Sequence, residues 1–476
     1  MRLITLPSPF IEKMKSLLGT QAELFLASYE QPRTHGLRLN PLKVRNPERA
    51  DGLPDELQPL RPVPWCREGY YYEENVRPGK HPYHAAGVYY IQEPSAMSAV
   101  ELLDPHPGDI VLDLAASPGG KATQIAGRLR GEGLLIANEI HPARVKALSE
   151  NIERMGVTNA VVTNADPEAL AGRFACFFDK IIVDAPCSGE GMFRKDPDAM
   201  MEWSPELVQM CARRQRDILD RAVRMLKPGG TLVYSTCTFS PEENEENVRW
   251  LTQRYPAFRL LRTERLWPHL HRGEGHFVAL LQLADESGGG NAVQCAVDED
   301  AHRDVPKRVG GRRRFAPAAA SPPGKGGLAK PLAFAMQLFR EFAADSLPGF
   351  ALGPGEPVLF GEQLYWLPHA PGCPFGSGHL QGLKVARPGL HLGTIRNKRF
   401  VPAHALALAA RADQARLSLR LETAEAAAYL KGESLAAPPG HGGWTLVTVD
   451  GYPLGWGKAS GGQLKNHYPK GLRRLE

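Results

Sequence analysis

The sequence lacks several features that would narrow its function at once. Its seven cysteines include no CxxC pair and no cysteine–histidine group with metal-ligand spacing, which argues against a disulfide framework and a structural zinc site. No stretch approaches the roughly 20 apolar residues of a membrane span. The first residues, MRLITLPSPFIEKMK, lack the apolar core of a signal peptide. We therefore expect a cytoplasmic protein that spans no membrane and binds no metal.

The composition does not decide what kind of partner the protein binds. The chain has 476 residues, 43% apolar and 23% charged, which suits a globular protein with more than one core. The net charge of +5 permits a nucleic-acid partner without requiring one. Basic residues are concentrated in 301–330, where eight Lys or Arg face one acid, and in 451–476, where five face one acid. These stretches are either solvated segments or contacts for an acidic partner.

Changes of pattern along the chain predict several parts. From about residue 106, apolar strand-like runs alternate with segments of helical spacing, which predicts a doubly wound α/β fold with a mostly parallel sheet. The predicted parts are an N-terminal extension (1–105), a catalytic domain (106–284), a basic Gly/Pro-rich linker (285–330), a C-terminal α+β domain (331–420) and a terminal domain (421–476).

One helix of the catalytic domain has a well-defined predicted start. Ser240 is a candidate N-cap, Pro241 suits the first helical position, and Glu243 would complete a capping box. These residues predict a helix over 241–253.

Acids and a glycine turn lie at the predicted carboxyl ends of the strands, where such sheets bind ligands. The turn, DLAASPGGK, fits neither the GxGxxG nor the GxxxxGK[ST] pattern, so a diphosphate is not its obvious ligand. Glu139, Asp166 and Asp184 end the next three strands. Carboxylates without a basic phosphate clamp suit a cationic nucleoside such as S-adenosylmethionine. Each acid alone could equally be a helix cap or a surface charge.

Two cysteines follow neighbouring predicted strands. Cys187 lies in DAPCSGEGMFRKDP and Cys237 in VYSTCTFSPEEN, so both would face one pocket. Spacing leaves open which of them is a nucleophile and which a helper, and a buried thiol without chemistry is the third alternative. Lys121 could meet a base or its phosphate. The segment GMFRKDP is either a loop over the base, with Arg194 and Lys195 on phosphates, or a solvated loop.

Several of these motifs together resemble the NOL1/NOP2/Sun family of RNA cytosine-C5 methyltransferases. They are GVYYIQEPSAM, DLAASPGGKATQIA, DAPCSGEGMFRKDP, RRQRDIL and LKPGGTLVYSTCTFSPEENE. The ending PLGWGK…LKNHYPKGLRR resembles a bacterial branch that modifies small-subunit rRNA. Two positions depart from the family pattern: Ala115 stands where many members have Cys, and Ala122 where many have Thr or Ser.

The resemblance implies a Rossmann-like class I methyltransferase domain that uses S-adenosylmethionine to methylate C5 of cytosine in 16S rRNA. It implies that Cys237 attacks C6 and that Cys187 helps to release the product. Addition to C6 is easier if N3 of the base gains a proton or a strong hydrogen bond, and Asp184, at the end of the fourth strand, is placed to supply it. The residues predicted to hold the cofactor are Ala115, Ala116, Ser117, Pro118, Gly119, Gly120, Lys121, Glu139, Asp166 and Asp184.

The basic and aromatic segments RNKRF and KNHYPKGLRR predict RNA contact, and by resemblance the terminal domain is PUA-like. The residues predicted to bind RNA are Lys121, Arg194, Lys195, Arg396, Lys398, Lys465 and Lys470. The expected partner is small-subunit rRNA or the 30S subunit, bound by a monomer. A non-catalytic assembly factor on the same scaffold is the alternative, and a DNA enzyme with Cys187 as nucleophile is the third.

Overall fold

The computed structural model describes residues 6–50, 53–285 and 329–473. The helices are α1 (Ser8–Leu18), α2 (Ala22–Ser28), α3 (Pro82–Ala85), α4 (Ser98–Leu103), α5 (Gly120–Leu129), α6 (Pro142–Arg154), α7 (Pro167–Ala171), α8 (Pro197–Glu202), α9 (Pro205–Met225), α10 (Glu245–Arg254), α11 (Ala329–Ser346), α12 (His404–Ala409) and α13 (Thr423–Lys431). The strands of the N-terminal and catalytic parts are β1 (Gly36–Leu39), β2 (Arg61–Pro62), β3 (Gly69–Tyr71), β4 (Tyr89–Ile91), β5 (Ile110–Asp113), β6 (Leu134–Asn138), β7 (Ala160–Thr163), β8 (Phe178–Asp184), β9 (Leu226–Thr236), β10 (Phe258–Leu266) and β11 (His276–Leu283). Those of the C-terminal part are β12 (Gly355–Phe360), β13 (Gln363–Pro368), β14 (Val385–Arg387), β15 (Leu390–Arg396), β16 (Arg399–Pro402), β17 (Ser418–Leu421), β18 (Leu435–Ala436), β19 (Gly443–Val449), β20 (Tyr452–Ser460) and β21 (Gln463–Asn466).

The predicted doubly wound sheet is confirmed. Its order within the described residues is β10-β11-β9-β8-β5-β6-β7-β14, and β5 to β9 run parallel to one another. The apolar runs of these five strands are buried on both faces, one core cluster lying under each layer of helices. Because β8 and β9 are neighbours in register, Asp184 lies opposite Ser235. The two cysteine loops therefore leave the sheet side by side.

Two edges of this sheet were not predicted. β10 pairs antiparallel with β11, and its sequence FRLLRTERL is largely exposed, so it lacks the apolar run of a buried strand. β14 reaches across from the C-terminal part and pairs with β7.

The predicted capping box is wrong. α10 starts at Glu245 with Asn244 as the residue before it, four positions later than the sequence suggested. The side chain of Ser240 instead donates to Glu190, and Glu243 accepts from the Ser188 loop. A buried polar cluster uses these residues in place of the helix end.

The N-terminal part packs directly against the catalytic domain. Its sheet has the order β2-β3-β1-β4. Arg38 of β1 is buried, and its Nη2 donates to the Gly120 carbonyl oxygen at 3.1 Å and to Thr123 Oγ1 at 2.9 Å. α1 and α2 contribute Phe10 and Phe25 to an aromatic cluster with Phe193 of the first cysteine loop. The extension therefore braces both the glycine turn and that loop.

The C-terminal part contains two further sheets, β12-β13-β15-β16 and β17-β19-β20-β21-β18. β17 begins at Ser418 and pairs in parallel with β19 of the terminal sheet. The terminal sheet therefore starts slightly before the domain boundary predicted after residue 420. Most of the predicted linker lies outside the described residues, and α11 already begins at Ala329. Across the described ranges, no helix has the length and apolar character needed to cross a membrane.

Candidate active site

The glycine turn joins β5 to α5 at the carboxyl edge of the sheet. Gly119 has φ +114°, a conformation that side chains disfavour, and it directly precedes the helix. Neighbouring side chains hold the turn: Arg144 donates to the Ser117 carbonyl oxygen, and Asn151 to that of Pro118, each at 2.8 Å. The first backbone N–H groups of α5 have no acceptor within the helix, so a ligand at the fixed turn could bind them.

Lys121 and Asp184 form an ion pair across the turn. Lys121 Nζ lies 2.7 Å from Asp184 Oδ2, and only 8% of the lysine side chain is exposed. Ser235 Oγ donates to Asp184 Oδ1 at 2.9 Å. Burial raises the pKa of Asp184, but the Lys121 charge, a smaller contribution from His276 and the hydrogen bonds from Lys121 and Ser235 together hold that pKa below its usual value. His276 lies beside the pair, and burial, aided by Lys121, lowers its pKa to about 3, so it is neutral.

Cys187 and Cys237 meet at this edge. Their sulfur atoms are 3.2 Å apart, and both thiols are free. The hydrogen bond with Cys237, followed by burial, raises the pKa of the Cys187 thiol well above its usual value. The structure thus brings the two cysteines together at the ends of neighbouring strands.

Hydrogen bonds between the two loops fix this separation. The Gly191 N–H donates to the Cys237 carbonyl oxygen at 2.8 Å, and the Ser188 and Thr238 hydroxyls are 2.8 Å apart. The buried carboxylate of Glu190 accepts from the Phe239 N–H at 2.7 Å. These contacts run from one cysteine loop to the other just past the two cysteines.

Glu243 is a buried acceptor in this network. It accepts from the Ser188 N–H at 3.0 Å, from Gln215 Nε2 at 2.7 Å, and from the Ser188 hydroxyl. Burial raises its pKa to about 7 in spite of these donors. Glu243 was predicted to cap a helix, and the acid-rich stretch SPEEN was the one signal in the sequence for its observed position.

The remaining predicted cofactor residues lie along the same edge. Ala115 and Ala116 lead from β5 into the turn, and Glu139 follows β6. Glu139 is 3% exposed and one of its oxygens accepts from the His141 N–H. Asp166 is exposed and caps α7 by accepting from the Glu168 N–H at 2.8 Å. Asp166 thus has a structural role already, which leaves its second oxygen for a ligand.

Asp113 was missed by the sequence analysis. It ends β5 directly before the glycine turn and is completely buried. Burial, and then the charge of Asp184, raise its pKa to about 8, which makes it a neutral acid at pH 7. An acid at the end of the first strand was the signal in the sequence.

Arg194 does not have the position predicted for it. Its side chain is 7% exposed and its Nε lies 2.7 Å from Glu274 Oε2. Its other nitrogens donate to the carbonyl oxygens of Ser28 and Gly273 at 3.0 and 2.9 Å. The guanidinium is thus committed to protein partners, and we withdraw it from the RNA-binding set. Lys195, the next residue, is exposed and lines a small cavity with Arg33.

The predicted RNA-binding residues of the C-terminal part lie away from the cysteines. Lys398 is at the tip of the β15–β16 turn, and Lys470 lies on an exposed turn near the end of the described chain. Arg396 and Lys465, 69 positions apart in the sequence, line one cavity between the two C-terminal sheets. The structure thus joins the two predicted segments.

One acidic cluster has the proximity that a metal ion would need. Cys66, Glu68 and Glu101 converge, but Arg128 Nη2 already lies 2.9 Å from Glu68 and 2.5 Å from Glu101. The arginine supplies the positive charge there, so the cluster is an ion-pair network.

A doubly wound sheet with a glycine turn after its first parallel strand, and reactive groups at the adjoining strand ends, defines a Rossmann-like class I methyltransferase. Family models agree. Residues 100–282 match the 16S rRNA methyltransferase RsmB/F model, and 6–94 match the N-terminal domain of 16S rRNA methyltransferase RsmF. Residues 341–409 match the first C-terminal domain of RsmF, and 416–474 its PUA domain.

Individual relatives lead to the same family. The chain is 34% identical to the ribosomal RNA small subunit methyltransferase F of Shigella boydii and of Escherichia coli O17:K52:H18, over 98% of this chain and 96% of each relative. Similar solved structures include a methyltransferase homolog protein from Pyrococcus horikoshii (29% identity, TM-score 0.53, covering 59% of this chain and 96% of that one). Another is NSun6 from the same organism with SFG, a SAM analogue (25% identity, TM-score 0.52, covering 60% of this chain and all of that one). The chain belongs to the RsmF family of 16S rRNA methyltransferases.

Proposed function

We propose that this protein methylates C5 of a cytosine in small-subunit rRNA through a covalent bond between Cys237 and C6 of the base. The observation that carries the proposal is the pair of free sulfur atoms 3.2 Å apart, at the ends of adjacent strands and beside the Lys121–Asp184 ion pair. C5 of cytosine is a poor nucleophile. Addition of a thiolate to C6 converts the ring to an enamine, which splits one hard step into two easier ones.

The resemblance of the STCT motif implies that Cys237 is the nucleophile, and the contact between the two sulfur atoms fits that assignment. Because its pKa is raised, Cys187 keeps its proton at neutral pH, and a protonated thiol attacks poorly. Its S–H can donate to the Cys237 sulfur, which stabilises a thiolate there. In the reverse direction, the same S–H stabilises Cys237 as it leaves C6 at the end of the reaction.

The proposed role of Asp184 differs from that of a proton donor. Since Lys121 keeps it ionised, it acts as an acceptor. A carboxylate at this position stabilises a proton on N3 of the base as the bond to C6 forms. The proton that Cys237 loses balances the one that N3 gains. After a base removes the C5 proton, the bond between sulfur and C6 breaks, N3 returns its proton, and Cys237 is a free thiol again.

The residues of the glycine turn fit S-adenosylmethionine. The turn presents backbone N–H groups, and the acids Glu139 and Asp166 lie at the following strand ends. Arg144, the arginine beside the turn, lies 3.6 Å from Glu139 Oε2 and donates to the Ser117 carbonyl oxygen, so it is paired within the protein. When bound, this cofactor supplies the methyl group to C5. We propose that residues 115–121, with both acids, hold it.

Methyl transfer from tritiated S-adenosylmethionine to small-subunit rRNA tests the proposal. The native protein should transfer label. Cys237→Ala should abolish both transfer and any covalent RNA adduct, whereas Cys187→Ala should accumulate an adduct that is not released. Cys373→Ala, at a free cysteine of the C-terminal part, is the matched control and should behave as the native protein.

Other outcomes would overturn specific parts. The reverse pattern of adducts would make Cys187 the nucleophile. No transfer by a folded native protein that binds both cofactor and RNA would leave the non-catalytic assembly factor. Label in duplex DNA in place of rRNA would refute the proposed substrate.

A further inference from the structure

A basic cavity lies between the two C-terminal sheets. Its volume is about 550 Å³, and it shares no residue with the cysteine site. The β15–β16 hairpin lines one side with Arg396 and Arg399, and the terminal sheet lines the other with Trp444, Lys458 and Lys465. The two sides come from separate domains, so neither domain alone forms the cavity.

Each side carries a pair of like charges in direct opposition. Arg396 lies opposite Arg399 across the hairpin, and Lys458 lies opposite Lys465 across β20 and β21. Directly opposed like charges destabilise a sheet, and all four side chains are exposed. Ion pairs in the described C-terminal residues use other basic side chains. These are Arg387, Arg411, Arg416 and Arg420.

An aromatic side chain extends the lysine pair into a row. Trp444 lies opposite Lys458 in the register of β19 and β20, and Lys458 Nζ is 5.4 Å from the centre of the indole ring. His467 packs its ring edge against Trp444 with centroids 4.6 Å apart. Burial, and then the charges of Lys465 and Lys458, lower the pKa of His467. The positive potential thus extends into the cavity.

The combination of paired cations and an aromatic ring favours one class of ligand. Cations alone would attract any polyanion, but a sequence-tolerant stacking surface next to phosphate contacts is how proteins hold single-stranded nucleic acid. Bases in an RNA duplex are stacked inside it, whereas unpaired bases can be splayed out onto a side chain.

We propose that this cavity binds an unpaired segment of RNA, with phosphates on the Arg396–Arg399 and Lys458–Lys465 pairs and a base against Trp444. The choice of RNA as the polyanion rests on the proposed function. The cavity would hold substrate RNA at a distance from the reacting cytosine, and it would need both C-terminal domains.

Binding of labelled RNA to the full chain at several salt concentrations tests the proposal. Each double variant, Arg396→Gln/Arg399→Gln and Lys458→Gln/Lys465→Gln, should weaken binding of a single strand of about ten nucleotides. Each should lower the slope of log affinity against log salt by about 1.4, which corresponds to two lost phosphate contacts. Trp444→Leu should weaken binding roughly 5- to 150-fold while leaving the slope unchanged. The same strand in a duplex should bind less tightly to the native protein and be less affected by Trp444→Leu.

The matched control removes two exposed charges that do not line the cavity, as in Arg259→Gln/Arg340→Gln, and should keep the native affinity. Variants that bind the single strand as this control does would overturn the proposal. Unchanged RNA affinity with weakened binding to 30S subunits would instead assign the cavity to a ribosomal protein. The binding assay requires no chemistry, so a failure of methyl transfer by the native protein would be recognised separately.

Discussion

Arg194 and Lys195 are adjacent in the sequence but should respond to substitution in opposite ways. The Arg194 guanidinium is buried against Glu274 and two carbonyl oxygens, whereas Lys195 is exposed. Removing one partner of a buried ion pair leaves an uncompensated charge, which costs about 3–5 kcal/mol. Arg194→Ala should therefore destabilise the fold, and Lys195→Ala should not.

The size of the effect follows from the contacts of Glu274. After Arg194→Ala, its carboxylate keeps the hydrogen bond from the Thr34 N–H but loses its buried cation. With a urea dependence of about 3 kcal/mol per M, a loss of about 3–5 kcal/mol lowers the unfolding midpoint by about 1–1.7 M. Burial already raises the pKa of Glu274, with Arg194 opposing the increase, so protonating it below its pKa should recover part of the loss.

Urea unfolding and RNA titration on the same preparations make the comparison. Lys195→Ala should keep the native midpoint and lower the salt slope of RNA binding by about 0.7–1. The double variant Arg194→Leu/Glu274→Leu should be less destabilised than the sum of its single changes, since it leaves no unpaired charge. A native midpoint for Arg194→Ala, combined with the RNA defect expected of Lys195→Ala, would refute the reasoning and restore Arg194 as a phosphate contact.

Three further predictions follow from the site and the domain interface. Lys121→Met should raise the pKa of Asp184, because burial then loses its main opposing charge, and should move the acidic limb of methyl transfer to higher pH. With a folded pKa of about 7 for Glu243, the native protein should lose about 3 kcal/mol of unfolding free energy as pH rises from about 4.5 to 7. Glu243→Gln should remove this dependence on pH, which urea unfolding measures. Gly87→Ala should destabilise strongly, because a Cβ at φ +69° would lie 1.9 Å from the Arg154 carbonyl oxygen.

Each of these has a control or a contradicting result. Lys195→Met should leave the pH profile of methyl transfer unchanged. Equal pH slopes for Glu243→Gln and the native protein would show that Glu243 does not titrate in this range. Gly108→Ala, at φ +97° with no atom within 4 Å of the added carbon, should cost only about 1–2 kcal/mol of backbone strain. If Gly87→Ala costs no more than Gly108→Ala, the backbone contact between Gly87 and Arg154 must be able to shift apart easily.

The central sheet could be predicted because its strands are buried on both faces and therefore read as continuous apolar runs. β10 could not, since its exposed arginines and glutamate hide the strand pattern, and β14 is three residues long and joins from another part of the chain. The positions of Cys187 and Cys237 followed from strand order alone. Arg194 was misassigned because local sequence does not show that α1 and α2 cover its loop.

The wrongly predicted capping box is the most informative error, because it shows how the site is built. Ser240 and Glu243 have the letters of a helix start, but the structure uses them to bind the first cysteine loop through Glu190 and Ser188. A sulfur pair 3.2 Å apart needs both backbones held at fixed separation, and hydrogen bonds between loops in a buried environment supply that rigidity better than a cap at the surface would. The polar residues around each cysteine therefore position its partner, so we expect that the two cysteine motifs depend on each other for their reactivity.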